Sequence, residues 1–375
     1  MDHRNDQVGW TEAQWNRVRE EVLQAWQRVR VAGSFLPIYG PLPPSTTVVP
    51  SEVLNAYGSV DDRATADLVE IELPVKLSRQ QILEEDLSSA LLQFRRRATQ
   101  LGQLEDWYIF NGTYPSEGEF APEESGLPHY RPAFPFLDGG GDDSRRARIS
   151  GTPTQIDGLN QDKQLARMHL RNPGALGLIE APWAAQEAEQ AQQAQQQAQP
   201  AQRAQQRAQQ ALPLDNDGLM KAIVDAINSL ENNGYVAPYV CVFGREPFQA
   251  AVAPIKGSTV LPRDRIEPLI GRELLHASGI DVLPQCFQLY DPRLDQWHWQ
   301  SRGVLLSMAD EPIDLALAAG ATPEFRQVDL EGRYVFSVFE RFALRIKDAK
   351  AIVPLMFETR KEAEKRKEAE KAKKL

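Results

Sequence analysis

The residue types that do chemistry are present in this chain, but not at spacings that chemistry needs. Five histidines, at 3, 129, 169, 276 and 298, are scattered without metal-ligand spacing. Cys241 and Cys286 are too few and too isolated for a disulfide framework or a zinc site, and they read as buried thiols of a cytoplasmic protein. No phosphate-binding Gly-rich loop with lysine, no G-x-S-x-G elbow and no H-E-x-x-H pair occurs. Trp297-His298-Trp299 has the composition of a stacking cluster and reads as an aromatic loop or strand packed on its neighbours. Acidic pairs such as Glu84-Glu85 and Asp142-Asp143 read as solvated charge. Catalysis, a metal and a cofactor therefore have no local motif, and the information lies in the elements.

Composition narrows the classes further. With 375 residues and 42% hydrophobic content the chain can build one large or two ordinary domains, and its net charge of -10 argues against a dedicated nucleic-acid binder. Residues 1–9 are polar and read as no secretory signal, and no run approaches the ~18 apolar residues of a membrane span.

The stretch 67–112 organises the rest. Val69, Ile71, Leu73, Val75 and Leu77 alternate with Glu70, Glu72, Pro74 and Lys76, the pattern of a half-buried strand, with Pro74 making it an edge or irregular one. Ser78 and Gln81 then form a capping box, and Leu83, Leu87, Leu91, Phe94, Ala98, Leu101 and Leu104 fall on one helical stripe. The spacing predicts one helix of roughly thirty residues, about 50 Å long. Asn111-Gly112 stops it, and Gly102 weakens its last third by about 1 kcal/mol.

Upstream, Thr11 and Gln14 form a second capping box, Trp10 and Trp15 a hydrophobic staple, and Trp15, Val18, Val22, Trp26 and Val29 an apolar stripe running to about Gly33. That face needs a partner, which is the body of the subunit, another subunit or a ligand. Residues 34–66, rich in proline, read as an extended arm pairing with the strand that begins at Leu68, a two-stranded hairpin with little core of its own.

Residues 113–182 read as loop or weakly ordered insertion. Residues 184–211 are an Ala/Gln low-complexity segment, disordered or a fraying helix. Order returns with a helix from Asp217 to Asn232-Asn233-Gly234, a strand at 239–243, helical turns at 248–252, a loop at 254–262 containing Lys256-Gly257-Ser258-Thr259, a helix at 266–277 and a strand at 280–283. Strands follow at 304–308, at 313–317 (weakened by alanines) and at 334–346. The mixed-charge tail from 358 reads as a solvated helix.

In this order the capped helix, Gly40-Pro41, the arm, Leu68-Val69-Glu70-Ile71-Glu72-Leu73 and Leu104-Glu105-Asp106-Trp107-Tyr108-Ile109-Phe110-Asn111-Gly112 resemble the encapsulins, or linocin-type bacteriocins. The likeness continues through 234–244 and through Phe336-x-x-x-Glu340-x-Phe342 and Ala351-Ile352-Val353-Pro354-Leu355, covering roughly 10–112 and 215–356. The resemblance implies an α+β chain with the tailed-phage major capsid protein (HK-97-like) fold. On it, 1–44 is an N-terminal helix and arm, 45–77 an E-loop hairpin, 78–112 the peripheral-domain spine helix and 113–214 an insertion. Residues 215–303 are then an axial domain, 304–356 return strands of both domains, and 357–375 a charged tail outside the shell.

The function so implied is structural, without an enzyme activity of its own. Subunits would assemble into an icosahedral nanocompartment of sixty copies or a larger multiple, enclosing a peroxidase, ferritin-like protein or other redox enzyme, with neither nucleic acid nor membrane as partner. The cargo's targeting peptide would dock at Trp26, Val29, Phe35 and Ile38, with Phe336 and Val338 beside them, and Lys256, Gly257, Ser258 and Thr259 would line a pore. Some relatives bind flavin at the start of the spine helix; Gln80 and Gln81 stand there, so no flavin is expected. The long insertion departs from the family, and it is expected to project from the shell as a dispensable decoration. A phage major capsid protein is the runner-up, disfavoured because only about ten residues precede the first helix. A bacteriocin-like hydrolase has no support in the residues.

Overall fold

The computed structural model describes residues 5–43, 45–54, 60–61, 64–112, 147–150, 154–158, 167–170, 178, 181, 212, 214–254, 259–281, 289–291, 296–298 and 300–358. The low-complexity segment, Cys286, Trp299, Lys256, Gly257, Ser258 and the tail beyond 358 lie outside these residues.

Helix α1 (Glu12–Gln27) starts as its sequence predicts. The Thr11 N–H donates to Gln14 Oε1 at 2.9 Å, the Gln14 N–H returns to Thr11 Oγ1 at 3.3 Å, and the rings of Trp10 and Trp15 meet edge to face at 5.1 Å. Trp15, Val18, Val22 and Trp26 are buried, and Val29, beyond the helix end, is half-buried. A short helix α2 (Ala32–Phe35) and strand β1 (Ile38–Tyr39) follow.

The hairpin is made of β2 (Val48–Pro50), β3 (Val53–Leu54), β4 (Val60–Asp61) and β5 (Thr65–Asp67), with β2 on β5 and β3 on β4, both antiparallel. Its pairing reaches Leu68, whose N–H donates to the Thr47 carbonyl at 3.0 Å, and goes no further into the strand that begins there. That strand, β6 (Val69–Leu77), has its odd-numbered residues buried and its even ones half-exposed, and it pairs elsewhere. β6 lies between two neighbours, but among the described residues its ladder with β9 covers only Glu70 to Glu72, so Pro74 stands on a stretch paired on one side alone, opposite Ser337.

The expected long helix is broken. One turn, α3 (Arg79–Ile82), carries the Ser78–Gln81 capping box, and the 24-residue α4 (Ser88–Asn111) follows, about 36 Å long. Leu87 between them has φ 54°. Acidic side chains take up the backbone donors at the junction: Glu84 accepts from the Ser89 N–H at 3.0 Å and its hydroxyl at 2.9 Å, and Asp86 accepts from the Ser88 N–H at 3.2 Å. They supply a fresh N-terminus. Leu83, counted on the buried stripe, is 71% exposed; Leu87, Leu91, Phe94, Ala98, Leu101 and Leu104 are buried as expected. At Gly102 an added Cβ would lie 2.8 Å from Val29 Cγ2 and 3.1 Å from the Trp26 carbonyl, so the glycine lets α1 and α4 approach.

Within the insertion, β7 (Ala147–Ser150), β8 (Thr154–Gly158) and β9 (Arg167–Leu170) are strands rather than loop. The second half contains α5 (Asn216–Asn232), β10 (Tyr239–Phe243), α6 (Arg245–Val252), α7 (Pro262–Ile270), β11 (Leu275–His276) and α8 (Ser278–Asp281). Here α7 begins earlier than predicted and ends at Gly271, so 275–276 is strand, and the strand expected from 280 begins as helix. After the hairpin β12 (Leu289–Asp291) and β13 (Gln296–His298) come β14 (Gln300–Ser307), β15 (Ile313–Val328), β16 (Tyr334–Ile346) and β17 (Ile352–Glu358).

Two main sheets result. The larger has seven strands in the order β1-β15-β16-β6-β9-β8-β7, the smaller four in the order β11-β10-β14-β17. One face of the large sheet, with Ile71, Leu73, Phe336, Val338 and Phe342, packs on α1 and α4 in the main core. The small sheet is covered on one side by α5, α6 and α7 through Leu219, Ile223, Ile266 and Ile270. Its other side, with Val240, Val242, Val304 and Leu306, joins the main core at the end of α4. There the Asn111 amide donates to Gly279 O at 2.9 Å.

Candidate functional site

Two places stand out: the root of the hairpin arm, and a charged cluster between α1 and α4. Strand parity creates the first. On β16 the even positions face the helices, so Arg341, Ala343 and Arg345 point to the opposite face of the sheet, as do Glu70 and Glu72 of β6. Over that face lies the arm. Val49 and Leu68 are buried against Ala316 of β15 and Ala343 of β16, so the alanines that weakened the strand prediction at 313–317 are where the arm sits down. Arg341 donates to the Thr46 carbonyl at 2.9 Å and pairs with Glu70 at 3.2 Å. Arg345 donates to the Pro50 carbonyl at 2.9 Å and bonds both oxygens of Asp314, at 2.6 and 2.5 Å. Within the root Val48 turns outward at 40% exposed, and beyond it Val60 is 57% exposed.

The second place holds the predicted docking residue Trp26. Its indole N–H donates to Glu340 Oε2 at 2.6 Å, and the Arg30 guanidinium lies 3.9 Å over its ring. Arg30 also pairs with Glu105, and Asp106 accepts from the Val31 N–H at 2.8 Å and the Ala32 N–H at 2.9 Å, capping α2 from α4. Glu105, Asp106 and Glu340 are all buried, with one guanidinium among them. Burial pushes Glu105 and Asp106 up to about 7, against the pull of Arg30 on the first and of the Val31 N–H on the second. Burial, with Glu105 nearby, raises Glu340 well above the carboxylate range.

The six residues expected to line a docking cleft do not share a surface. Trp26 is 2% exposed and Phe336 and Val338 are fully buried, Phe336 stacked on Trp10 at 5.2 Å, because even positions of β16 face the helices. These three are core. Val29 is half-buried, Phe35 8% exposed and Ile38 53% exposed at the sheet edge. Of the predicted pore residues only Thr259 is described, and it is exposed. Sequence reasoning missed Glu340 and the arginines, although the signal was there: Glu340 is a charge in phase with Phe336, Val338 and Phe342.

Among the described residues no group of His, Cys, Asp or Glu could hold a metal ion, and no helix is long and apolar enough to cross a membrane. Cys241 is buried, and burial alone pushes its thiol pKa up. A groove of about 400 Å³ beside Glu70, Glu72 and Arg326 is already occupied electrostatically, since Arg326 pairs with Glu72 at 3.1 Å and Glu324 at 3.0 Å.

The chain is thus an α+β protein in which one long helix joins two sheets and a hairpin arm stands outside both. No protein-family profile and no curated protein matches it. Solved structures similar to it include a virus-like particle from Pyrococcus furiosus, at 8% identity and a TM-score of 0.49 over 92% of this chain and 100% of that one. They also include the capsid of Myoviridae phage XM1, at 11% identity and a TM-score of 0.43 over 86% of this chain and 89% of that one. A structure of Mycobacterium phage Bobi matches at 12% identity and a TM-score of 0.45 over 88% of this chain and 91% of that one. At these identities and TM-scores the likeness assigns no function to the chain.

Proposed function

We propose that this chain is a structural shell protein whose copies assemble into a closed icosahedral particle, and that the particle is an encapsulin-type nanocompartment. The observation that carries this is the arm: two short ladders, of three and two residue pairs, whose packing on the subunit, among the described residues, is at the root. A lone two-stranded ribbon is marginal in water, and it gains its missing burial by lying across a neighbouring subunit. The resemblance in residue order supplies the rest of the reading. The cargo enzyme's targeting peptide would dock at Val29 and Ile38, the residues of the expected cleft that reach the surface, with Phe35 buried behind them, and the loop of Lys256 to Thr259 would line a pore. The subunit itself is not an enzyme on this reading.

Expression of the chain alone, followed by light scattering after size exclusion and negative-stain microscopy, tests the proposal. Closed, uniform, megadalton particles are expected, and a monomer or small oligomer would refute it. Enzyme co-purifying from the native source is the expected content; packaged DNA instead would make the chain a phage capsid protein.

A further inference from the structure

We infer that Arg341 and Arg345 are positioning residues that fix the angle at which the arm leaves the subunit. Their four-residue step along β16 is matched by a four-residue step along the arm, Arg341 to the Thr46 carbonyl and Arg345 to the Pro50 carbonyl, each at 2.9 Å. Between the two arginines Ala343 receives Val49, which is 1% exposed. Arg-x-Ala-x-Arg is therefore a seat with a fork at either end, aligned with a stretch of arm to which no strand pairing ties it.

Both forks are braced from behind. Arg345 bonds both Asp314 oxygens, its guanidinium lies 3.8 Å over the Tyr39 ring, and Lys347 holds Asp314 at 2.9 Å. Arg341 is held by Glu70. A planar guanidinium can serve a carboxylate and a carbonyl together in fixed geometry; an ammonium on a flexible stem cannot. The contacts are to main-chain carbonyls, so they set direction whatever the arm's side chains do. On the shell reading, on which this inference rests, that direction sets where the far end of the arm meets its neighbour, and so the curvature of the particle.

The test uses the full chain with Arg341→Lys and, separately, Arg345→Lys. Both are expected to keep the far-ultraviolet circular dichroism of the unaltered protein. Amides of 46–68 should exchange with solvent about tenfold faster while those of β16 hold, and particles should lose their uniform diameter. Exchange and diameter equal to the unaltered protein would overturn the inference. Should Arg345→Lys fail to fold because Asp314 loses its fork, the half-exposed Arg341 decides alone. Should the unaltered chain form no particles, the shell reading falls, and exchange across 46–68 still decides whether the arginines fix the arm.

Discussion

Three carboxyl groups in one core, Glu105, Asp106 and Glu340, with Arg30 as the one guanidinium among them, cannot all be ionised cheaply. With folded values raised to about 7 for Glu105 and Asp106, the folded chain holds protons that the unfolded chain has released. That contribution is fully present below the unfolded carboxylate range and is lost as pH rises through about 7. Unfolding midpoints in urea should therefore fall between pH 5.5 and pH 8, by the equivalent of about 2 kcal/mol of stability for one such group. Asp329, held low by the Arg333 N–H, acts only at more acid pH and leaves this window clear. Glu340→Gln keeps an acceptor for the Trp26 indole and removes one charge, so its midpoint should change less over the same range. A midpoint that is flat or rises with pH in the unaltered chain would show that these groups are not protonated in the fold.

At the scale of elements, Gly102 sets two effects against each other. Alanine there improves helix propensity by about 1 kcal/mol, but its Cβ would press on Val29 and the Trp26 carbonyl. Overpacking of this kind costs typically ~1–3 kcal/mol, so Gly102→Ala should destabilise by denaturant titration; a gain would mean that α1 moves aside freely. The same residue shows what the sequence makes legible. Local devices were readable: both capping boxes, the Trp10–Trp15 staple, the alternation in β6 and the burial from Leu87 to Leu104 all follow from side-chain type and period. What needed a distant partner was not. Gly102 looked like a weak helix residue because Val29 is far away in sequence. Leu83 falls on the stripe by its spacing alone, and in the fold it lies off the stripe because the helix restarts after it, with Glu84 and Asp86 bonded to Ser89 and Ser88. Trp26, Phe336 and Val338 read as available for a peptide because composition does not say that α1 and β16 bury them against one another.

For the whole molecule, the insertion is more than an appendage. Its strands β7, β8 and β9 extend the large sheet beside β6, with His169 and Arg167 opposite Glu70 and Glu72. Deleting 116–211 should therefore lower the thermal midpoint by baring the β6 edge and promote association through it. An unchanged midpoint with normal particles would restore the idea of a dispensable decoration. The arm is expected to behave in the opposite way: replacing 48–67 with a short flexible linker should leave circular dichroism and the denaturation midpoint of the body close to unaltered while abolishing particles, read by light scattering.

The order in which the chain reaches its two sheets carries one more consequence. Strand β6 and helix α4 are complete by residue 111, but their partner β16, with both arginines of the arm's seat, ends at residue 346 of 375. A chain still emerging from the ribosome has made the arm without the surface that seats it, and on the shell reading an unseated arm would not join a neighbour correctly. On the shell reading, synthesis is thereby timed ahead of association: the subunit becomes competent to join others only after β16 has been translated, so copies growing on one messenger are kept from locking together half-made.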